Sequence, residues 1–374
     1  MIEYVQIRDI NFETIGIVDT APSIIWHKKY FSVGDFEIYA QATSNNIQIL
    51  QLGNYVTRLN DDEIGVIEKI EITRNTYDGL MIIASGRFAK SILDRRVIYN
   101  LSGKTNKATV LTGNVESAAR ALVVNNAIAC TFNTNRNMTV LELGQHSGST
   151  KIIVDDNGQP TQKQVTNKNL MDYTDKLLQE YGMGAKITLA SNETKLQYVC
   201  FDGIDRSYDN PTGIESIIFS ADLGNLIDSD FMQDTVNAKN AALIGGQGEG
   251  VERFYSTVEG IETGLARREV FIDAASISQT YIDAQEEEHS YTDAEYKKML
   301  DSRGTLELAQ LIPIESFDGT LDTTFSVWKY GIDYELGDIV TIQDNQIGIY
   351  ANVRIIETTE VQDTNGYSVS INFE

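Results

Sequence analysis

Three histidines and two cysteines are the residues of this 374-residue chain best suited to hold a transition metal. His27, His146 and His289 are widely separated, and no His-x-His, Cys-x-x-Cys or His-Glu-x-x-His spacing occurs. Cys130 and Cys200 are too few for a disulfide framework; we expect two small buried hydrophobic residues, with one structural bridge as the alternative. We therefore predict no metal site and no cofactor.

Two short motifs resemble phosphate-binding loops, but neither has the complete pattern. Gly103-Lys104-Thr105 matches the end of a P-loop, yet Ile98 stands where the motif needs its first glycine. The run from Gly245 to Gly250 is not G-x-G-x-x-G, and its Glu249 would repel phosphate. We interpret this run as a flexible turn between strands, where glycine supplies positive φ.

Hydrolytic chemistry has equally weak support. Gln145-His146-Ser147-Gly148 places a serine beside a histidine, but adjacency does not make a catalytic triad, and no G-x-S-x-G elbow occurs. The 54 acidic residues allow a glycosidase carboxylate pair without identifying one. Asp155-Asp156-Asn157-Gly158 lacks the alternating ligands and the distal glutamate of a calcium loop, so we predict a hairpin turn there. No catalytic residue is predicted, which favours a structural role.

The net charge narrows the function classes further. The chain has 30 Lys and Arg against 54 Asp and Glu, a formal charge of −24. Such an acid excess disfavours a protein that grips the nucleic acid backbone or an anionic membrane surface. The N-terminus lacks a basic region followed by an apolar run, and no stretch approaches the length of a membrane span. We therefore expect a soluble protein that is made in the cytoplasm, with no signal peptide and no transmembrane segment.

The first hundred residues have the pattern of short strands. Ile64, Val66, Ile70 and Ile72 alternate with charged residues, which is typical of a half-buried strand. Asp78-Gly79 then predicts a hairpin, and further short strands are predicted over 15–18, 36–40, 55–59 and 80–84. This spacing favours a small barrel or sandwich.

The middle of the chain mixes helices and strands. Asn114 is placed to cap a helix over 115–123, and a second helix begins near Asn169 and ends before Gly182. Strands are predicted from 139, over 151–154, over 187–189 and over 196–201. Residues 101–200 therefore form a predicted α+β domain.

The last third returns to strands. They are predicted over 215–220, 240–244, 257–259, 269–272, 339–342, 349–356 and 367–373, with Asn365-Gly366 joining the last two. Residues 273–291 are acidic and are predicted to form an exposed loop with helical turns. Thr292 and Glu295 form a predicted capping box for a helix in which Gly304 is a weak point.

An ordered set of local motifs resembles one protein family along essentially the whole chain. The motifs are Ile24-Ile25-Trp26-His27-Lys28-Lys29-Tyr30, Gly34-Asp35-Phe36-Glu37-Ile38-Tyr39, Gly53-Asn54-Tyr55-Val56, Ile64-Gly65-Val66-Ile67-Glu68-Lys69-Ile70, Ser85-Gly86-Arg87-Phe88, Ile92-Leu93-Asp94-Arg95-Arg96, Gly203-Ile204-Asp205-Arg206-Ser207, Arg267-Arg268-Glu269 and Tyr330-Gly331-Ile332-Asp333-Tyr334-Glu335-Leu336-Gly337-Asp338-Ile339-Val340. The chain resembles the tail-tip hub, or tail-associated protein, of long-tailed phages and prophages of Gram-positive bacteria. That family is similar in fold to the baseplate hub of contractile-tailed phages.

The resemblance implies a mainly β fold with an α+β insertion. It implies a first β-barrel hub domain over 1–100, the α+β domain over 101–200, and a second β-barrel hub domain over 201–374. The second hub domain would carry a helical and loop insertion around 273–311.

The resemblance also implies the function. It implies a structural homotrimer at the virion tail tip whose ring of barrels adapts the six-fold tail tube and the hexameric distal tail protein to the tip. The ring would gate passage of the tape-measure protein and DNA, and receptor-binding proteins would be further partners. The resemblance implies no catalytic, cofactor-binding or metal-binding residue in this sequence, so the protein is expected not to be an enzyme.

Two alternatives come from relatives that carry long C-terminal extensions. One is a cell-wall hydrolase acting during infection. The other is a receptor-binding protein for a host saccharide or protein, in which the 18 tyrosines and two tryptophans offer rings that could stack on sugars. Because this chain ends at Glu374, directly after the last predicted hub strand, we expect no lytic extension.

The charge has a specific meaning in a ring. A trimer would carry three times −24, or −72. Acidic residues lining a channel would repel phosphate, so DNA would pass without specific binding.

Overall fold

A computed structural model describes residues 4–59, 61–77, 79–103, 105–155, 158–282, 287–309, 311–321, 326–346 and 348–374. The chain divides into two compact units. Unit 1 comprises Met1–Ser229 and Asp318–Glu374, and unit 2 comprises Asp230–Phe317.

Strands predominate, as predicted. In chain order they are β1 (Val5–Arg8), β2 (Thr14–Val18), β3 (Ser23–Lys29), β4 (Asp35–Gln41), β5 (Tyr55–Arg58), β6 (Gly65–Val66), β7 (Lys69–Asn75), β8 (Gly79–Arg87), β9 (Val97–Ile98), β10 (Leu101–Ser102), β11 (Thr105–Asn106), β12 (Thr109–Thr112), β13 (Leu141–Leu143), β14 (Gln162–Val165), β15 (Lys168–Asn169), β16 (Gly184–Leu189), β17 (Leu196–Phe201), β18 (Ile218–Ser220), β19 (Leu226–Asp234), β20 (Ala241–Gly245), β21 (Tyr255–Val258), β22 (Glu269–Asp273), β23 (Thr280–Ile282), β24 (Glu288–Ser290), β25 (Ile314–Leu321), β26 (Ile339–Asp344), β27 (Ile349–Asp363) and β28 (Gly366–Phe373). The α-helices are α1 (Ser44–Ile49), α2 (Val115–Val123), α3 (Leu170–Glu180) and α4 (Asp293–Leu308). Short 3-10 turns lie at Ala89–Arg95, Thr134–Arg136, Gly250–Glu252 and Gly264–Ala266, and a π-helical turn lies at Val124–Ile128.

The main sheet of unit 1 joins strands from both ends of the chain. β27 pairs antiparallel with β3 on one side and with β28 on the other. From β3 the sheet continues through β4 and β8 to β7. The first part of β27 pairs instead with β26, and a register shift between Ile355 and Glu357 separates the two parts. One 15-residue strand therefore connects the N-terminal strands with the C-terminal ones.

The N-terminal strands bury one face each, because side chains alternate along a strand. Trp26 on β3 and Phe36 on β4 are buried and pack with Phe88, at ring-centroid distances of 4.9 Å (Trp26–Phe88) and 5.6 Å (Trp26–Phe36). A second sheet, in the order β2-β1-β5-β6, contributes Val5, Ile7, Val18 and Val56 to the same core. The two sheets thus enclose one hydrophobic layer.

The middle of the chain is an α+β region, as predicted. Asn114 accepts a hydrogen bond from Ser117 N at the start of α2, and Asn169 accepts one from Asp172 N at the start of α3. The two helices share a core with the small sheet β13-β17-β16; that core includes Leu122, Leu177, Leu178, Ile187 and Tyr198. The predicted cap at Asn114 is confirmed, and Asn169, near which the second helix was predicted to begin, is the N-cap of α3.

The core of unit 2 is formed by a three-stranded sheet and α4. β20 pairs antiparallel with β21 and parallel with β22, and Ile244 and Ile272 pack with Tyr296 and Leu300 of the helix. The capping box of Thr292 and Glu295 is present. Gly304, predicted as a weak point, allows close packing, because a Cβ there would lie 2.8 Å from Ile244 Cδ1.

Two local predictions were wrong. Residues 151–154 are not a regular strand; Ile152 and Val154 form only isolated bridges, and directly after them Gly158 N donates to Asp155 O. The predicted loop over 273–291 contains the hairpin of β23 and β24, in which Tyr281 stacks on His289 at a centroid distance of 5.5 Å. Residues 283–286 within it lie outside the described residues.

Candidate functional site

The three histidines lie in separate environments. The ring nitrogens of His27, on β3, lie 3.2 Å from Asp35 and 3.3 Å from Glu357. His146 lies against Glu116, and His289 lies on β24. In the part of the chain that the structure describes, no group of three or more His, Cys, Asp and Glu side chains is arranged to hold a metal ion.

The structure does bring the predicted His146-Ser147 pair to an acidic residue, Glu116 of α2. Ser147 Oγ donates to Glu116 Oε2 at 2.5 Å, and His146 Nδ1 lies 2.8 Å from that same oxygen. In a catalytic triad the histidine lies between the acid and the serine, so that it can accept the hydroxyl proton. Here the carboxylate holds the hydroxyl directly, and this is not the geometry of an activated nucleophile.

The Glu116 contacts hold a loop in place. The Glu116 side chain is completely buried and also accepts a bond from Ser147 N at 2.9 Å. One helical turn later, Arg120 donates to Gly144 O at 2.7 Å and to Gln145 O at 3.1 Å. Glu116 and Arg120, on one face of α2, therefore fix residues 144–147. Sequence reasoning missed Glu116 because it lies 31 positions before Ser147 in the chain.

The remaining sequence candidates are structural. Both cysteines are buried and unbridged, and burial raises the pKa of Cys200 to about 12, which keeps its thiol protonated and unreactive. Gly103 and Thr105 flank the short turn between β10 and β11, whereas a P-loop would lead from a strand into a helix; Lys104 lies outside the described residues. Asp155 Oδ1 accepts from Gln159 N at 2.9 Å in a turn; Asp156 and Asn157 also lie outside.

The glycine-rich run Gly245–Gly250 has a packing role that the turn interpretation did not include. A Cβ at Gly246 would lie 2.7 Å from the Tyr296 hydroxyl, so glycine lets β20 approach α4 closely. The same hydroxyl accepts from Gln247 N at 2.7 Å, and Arg253 donates to Gly245 O and Gly246 O. These carbonyls and amides are used within unit 2.

A buried charge network lies on the face where β3 meets β27. The Asp61 side chain is 1% exposed and accepts bonds from Trp26 Nε1 at 3.0 Å, Lys28 Nζ at 3.2 Å and Arg58 Nε at 2.9 Å. Burial by itself would raise the pKa of Asp61, but the charges of Lys28 and Arg58 outweigh it and hold that pKa well below its usual range. Asp61 is therefore ionised and fully paired.

The network extends to the C-terminal strand. Arg58 forms an ion pair with Glu360 of β27, which lies opposite Trp26 in the strand register, and Tyr367 of β28 donates to the same carboxylate. Glu63 lies 3.4 Å from Lys28 Nζ, and here burial dominates and raises the pKa of Glu63. Removing one partner from such a group leaves uncompensated charge, so the network fixes the two strands in one register.

Tyr30, directly after β3, forms a second set of contacts between distant segments of unit 1. Its hydroxyl donates to Gly182 O at 3.1 Å and accepts from Gly203 N at 3.1 Å. Gly337 packs on the ring so closely that a Cβ there would lie 2.2 Å from Tyr30 Cε2. Burial raises the pKa of Tyr30 to about 12. One side chain thus ties β3 to the α+β region and to the turn before β26.

The exposed apolar residues of β2 form the clearest candidate contact surface of unit 1. β2 lies at the end of its sheet among the described strands, pairing with β1 alone. Gly16 and Val18 face the interior, whereas Ile15 and Ile17 are 42% and 46% exposed. An edge strand with apolar side chains favours pairing or packing with another chain.

Among the described residues, no helix is long and apolar enough to span a membrane.

Comparison with known proteins gives one family match and several structural matches. The model of a family described as Siphovirus ReqiPepy6 Gp37-like protein matches residues 4–373. The structure is similar to the 43 kDa tail protein of prophage MuSo2 from Shewanella oneidensis, with 14% identity and a TM-score of 0.58, over 100% of this chain and 98% of that one. It is also similar to a tail protein from Neisseria meningitidis MC58, with 12% identity and a TM-score of 0.56, over 99% and 96% of the two chains. A search of curated proteins found no match.

Proposed function

This chain belongs to the Siphovirus ReqiPepy6 Gp37-like family of siphovirus tail proteins, and on that premise we propose that it is the structural hub of a phage tail tip. As a phage tail protein of baseplate-hub-like fold, it is a component of the virion tail. In our proposal three copies form a ring that adapts the six-fold tail tube and the hexameric distal tail protein to the tip. The ring gates passage of the tape-measure protein and DNA.

The observation that carries this proposal is the extent of the family match, which spans residues 4–373. A match of that extent includes both ends of the chain, and these ends meet in one sheet through β3 and β27. The Glu116, His146 and Ser147 contacts support a structural role, because the arrangement fixes a loop and leaves the serine hydroxyl bound to a carboxylate.

The exposed edge of β2 supports self-association. The side chains of Ile15 and Ile17 expose apolar surface to water. Covering this surface with another copy stabilises the complex by a free energy of about 25 cal/mol for each Å² of apolar surface buried. In a closed ring every copy uses the same pair of surfaces, so the edge is covered once per protomer. We place β2 at the contact between protomers, and we propose that the predicted domains over 1–100 and 201–374 supply the barrels of the ring.

Light scattering with purified protein tests the proposal. The wild-type chain is expected at three times 41.7 kDa, or about 125 kDa, and to bind the purified distal tail protein. Ile15→Lys combined with Ile17→Lys is expected to give monomers, because two charges at the edge oppose pairing. Ile332→Lys, at a residue that is 76% exposed outside this strand, is the matched control and is expected to stay trimeric. A monomeric wild-type protein with no affinity for the distal tail protein would contradict the proposal.

The acid excess supports the proposed passage of DNA. A trimer would carry a formal charge of −72. Those of its acidic side chains that face the channel would repel the DNA phosphates and prevent binding driven by counterion release. Duplex DNA at low salt is expected not to bind the trimer in a filter assay. Retention of DNA that falls steeply with added salt would overturn this part of the proposal.

A further inference from the structure

A cavity of about 300 Å³ lies in the α+β region, and its lining shares no residue with β2 or with the charge network. Its wall is formed by Tyr99 and Phe132 on the aromatic side and by Asn100, Thr109, Asn125 and Thr131 on the polar side. A volume of this size is at the lower end of the range of small-molecule sites. The lining residues that the structure describes include no charged side chain.

The aromatic side of the cavity is held rigidly. Tyr99 and Phe132 lie with ring centroids 5.2 Å apart, and the Arg136 guanidinium stacks on Tyr99 at 4.0 Å. Arg136 is only 7% exposed and donates to Val97 O and to Asn126 Oδ1. The two ring planes are inclined by 53°, so a flat apolar ligand face would stack on one ring and meet the edge of the other. Because both rings are fixed before any ligand arrives, this contact would have little entropic cost.

Part of the polar side is built by the π-helical turn that follows α2, whereas Asn100, Thr109 and Thr131 lie outside that turn. Ala129 N donates to Val124 O at 2.7 Å, and the wide turn between them carries Asn125 and Asn126 to the cavity. Turns of this type occur frequently at functional sites. Buried Asn126 is used internally, since it donates to Leu122 O at 2.9 Å and accepts from Tyr99 N at 3.3 Å. Asn125 is exposed, and its amide has no hydrogen-bond partner among the described residues.

The remaining polar side chains are also available. The side chains of Asn100, Thr109 and Thr131 have no hydrogen-bond partner in the described part of the chain. Amides and hydroxyls donate and accept, so together with Asn125 they match a ligand that carries several hydroxyl or amide groups. No charged side chain among the described lining residues balances a phosphate, a carboxylate or an ammonium group, and the Arg136 guanidinium is already stacked on Tyr99 and bonded to Val97 O and Asn126 Oδ1.

We propose that this cavity is a binding site for a neutral saccharide, with one pyranose ring against Tyr99 and Phe132 and its hydroxyl or acetamido groups on Asn125, Thr131, Asn100 and Thr109. A pyranose fits this combination because one molecule has an apolar C–H face and a rim of hydroxyl groups. The inference goes beyond a hub role and does not depend on the oligomeric state.

Saturation-transfer NMR with glucose, galactose and N-acetylglucosamine on the full-length protein tests the site. At least one sugar is expected to bind, with a Kd of about 1 mM. Asn125→Ala removes a polar partner and Ala108→Trp places a large side chain in the cavity lining, and each is expected to weaken binding about tenfold or more. Asn45→Ala, at an exposed asparagine of α1, is the control and is expected to bind as wild type.

Three outcomes would overturn the proposal. They are no transfer from any of the three sugars, binding that both Asn125→Ala and Ala108→Trp leave unchanged, and binding of trialanine or glucose 6-phosphate in preference to the neutral sugars. Because none of these outcomes depends on whether the protein is a trimer, failure here is distinguishable from failure of the hub proposal.

Discussion

The indole Nε1–H of Trp26 donates a 3.0 Å hydrogen bond to the carboxylate of Asp61, although the ring of Trp26 lies in the hydrophobic core. The same carboxylate pairs with Lys28 and Arg58, and Arg58 reaches Glu360 on the C-terminal strand β27. Asp61 is therefore the residue through which the hydrophobic core, the N-terminal sheet and the C-terminal strand are coupled.

Replacing Asp61 by Asn is expected to lower the free energy of unfolding by about 3 kcal/mol, because Lys28 and Arg58 lose their shared counter-charge in a buried site. Urea unfolding followed by tryptophan fluorescence measures the loss. Asp62→Asn is the matched control; its carboxylate is 55% exposed and pairs at the surface with Lys186, so the change should be below about 1 kcal/mol. Equal losses in the two variants would show that the network is not specific to Asp61.

The pH dependence of stability should separate Asp61 from Glu63. The pKa of Asp61 is lower in the folded chain than in the unfolded one, so its contribution is present above the unfolded value and is lost as pH falls through the folded value. The pKa of Glu63 is raised by burial, so its ionisation disfavours folding as pH rises from the unfolded value to the folded one.

Unfolding curves recorded between pH 3 and pH 7 test these signs. The stability difference between wild type and Asp61→Asn should shrink as the solution is acidified. Glu63→Gln should instead approach or exceed wild-type stability as pH rises, because it removes a carboxylate whose ionisation is costly. If the free energy of unfolding of the wild type exceeded that of Asp61→Asn by the same amount across this pH range, the lowered pKa assigned to Asp61 would be contradicted.

Removing the Tyr30 hydroxyl is expected to destabilise the joint between β3 and the α+β region. Tyr30→Phe leaves Gly203 N and Gly182 O without this partner in a buried site, at a cost of about 1–3 kcal/mol. Tyr208→Phe, at a tyrosine that is 65% exposed, should change stability by less than about 0.5 kcal/mol. Thermal unfolding of the two variants checks the difference, and an unchanged Tyr30→Phe protein would refute the role of the hydroxyl.

The C-terminal strand should be indispensable. Deleting residues 367–374 removes most of β28, whose Val369, Ile371 and Phe373 are buried, and uncovers one edge of β27. We expect aggregation of the truncated chain, which light scattering after centrifugation detects.

A point variant distinguishes lost packing from an arbitrary effect of truncation. Ile371→Asp places a charge at a fully buried position and should cost about 4 kcal/mol or more, whereas Ser368→Asp on the exposed side of the same strand should be tolerated. A soluble, trimeric truncated protein would refute the structural importance of β28.

Local features of the fold could be predicted from the sequence. The caps at Asn114 and Thr292 were predicted because each one satisfies a backbone amide only three residues away. The Asn365-Gly366 turn likewise depends on two adjacent residues, and the predicted hairpin forms.

Long-range relationships could not be predicted from the same patterns. Trp26 and Glu360 face each other across β3 and β27 although 334 positions separate them, and no local pattern specifies that register. Asp61 lies in an acidic stretch of the sequence that has the pattern of a solvated segment. The one sequence feature that pointed to the buried network is the spacing of Trp26 and Lys28, which are two residues apart and therefore lie on one face of a strand. The cavity at Tyr99 was missed because its lining comes from several segments between positions 99 and 132.

Negative-stain electron microscopy of the purified chain tests the central claim most directly. The hub account predicts class averages with three-fold symmetry, seen as a ring with a central channel or plug, formed by three copies of the 41.7 kDa chain. Single particles of one-chain size without three-fold symmetry, at micromolar concentration and in the presence of the distal tail protein, would contradict it.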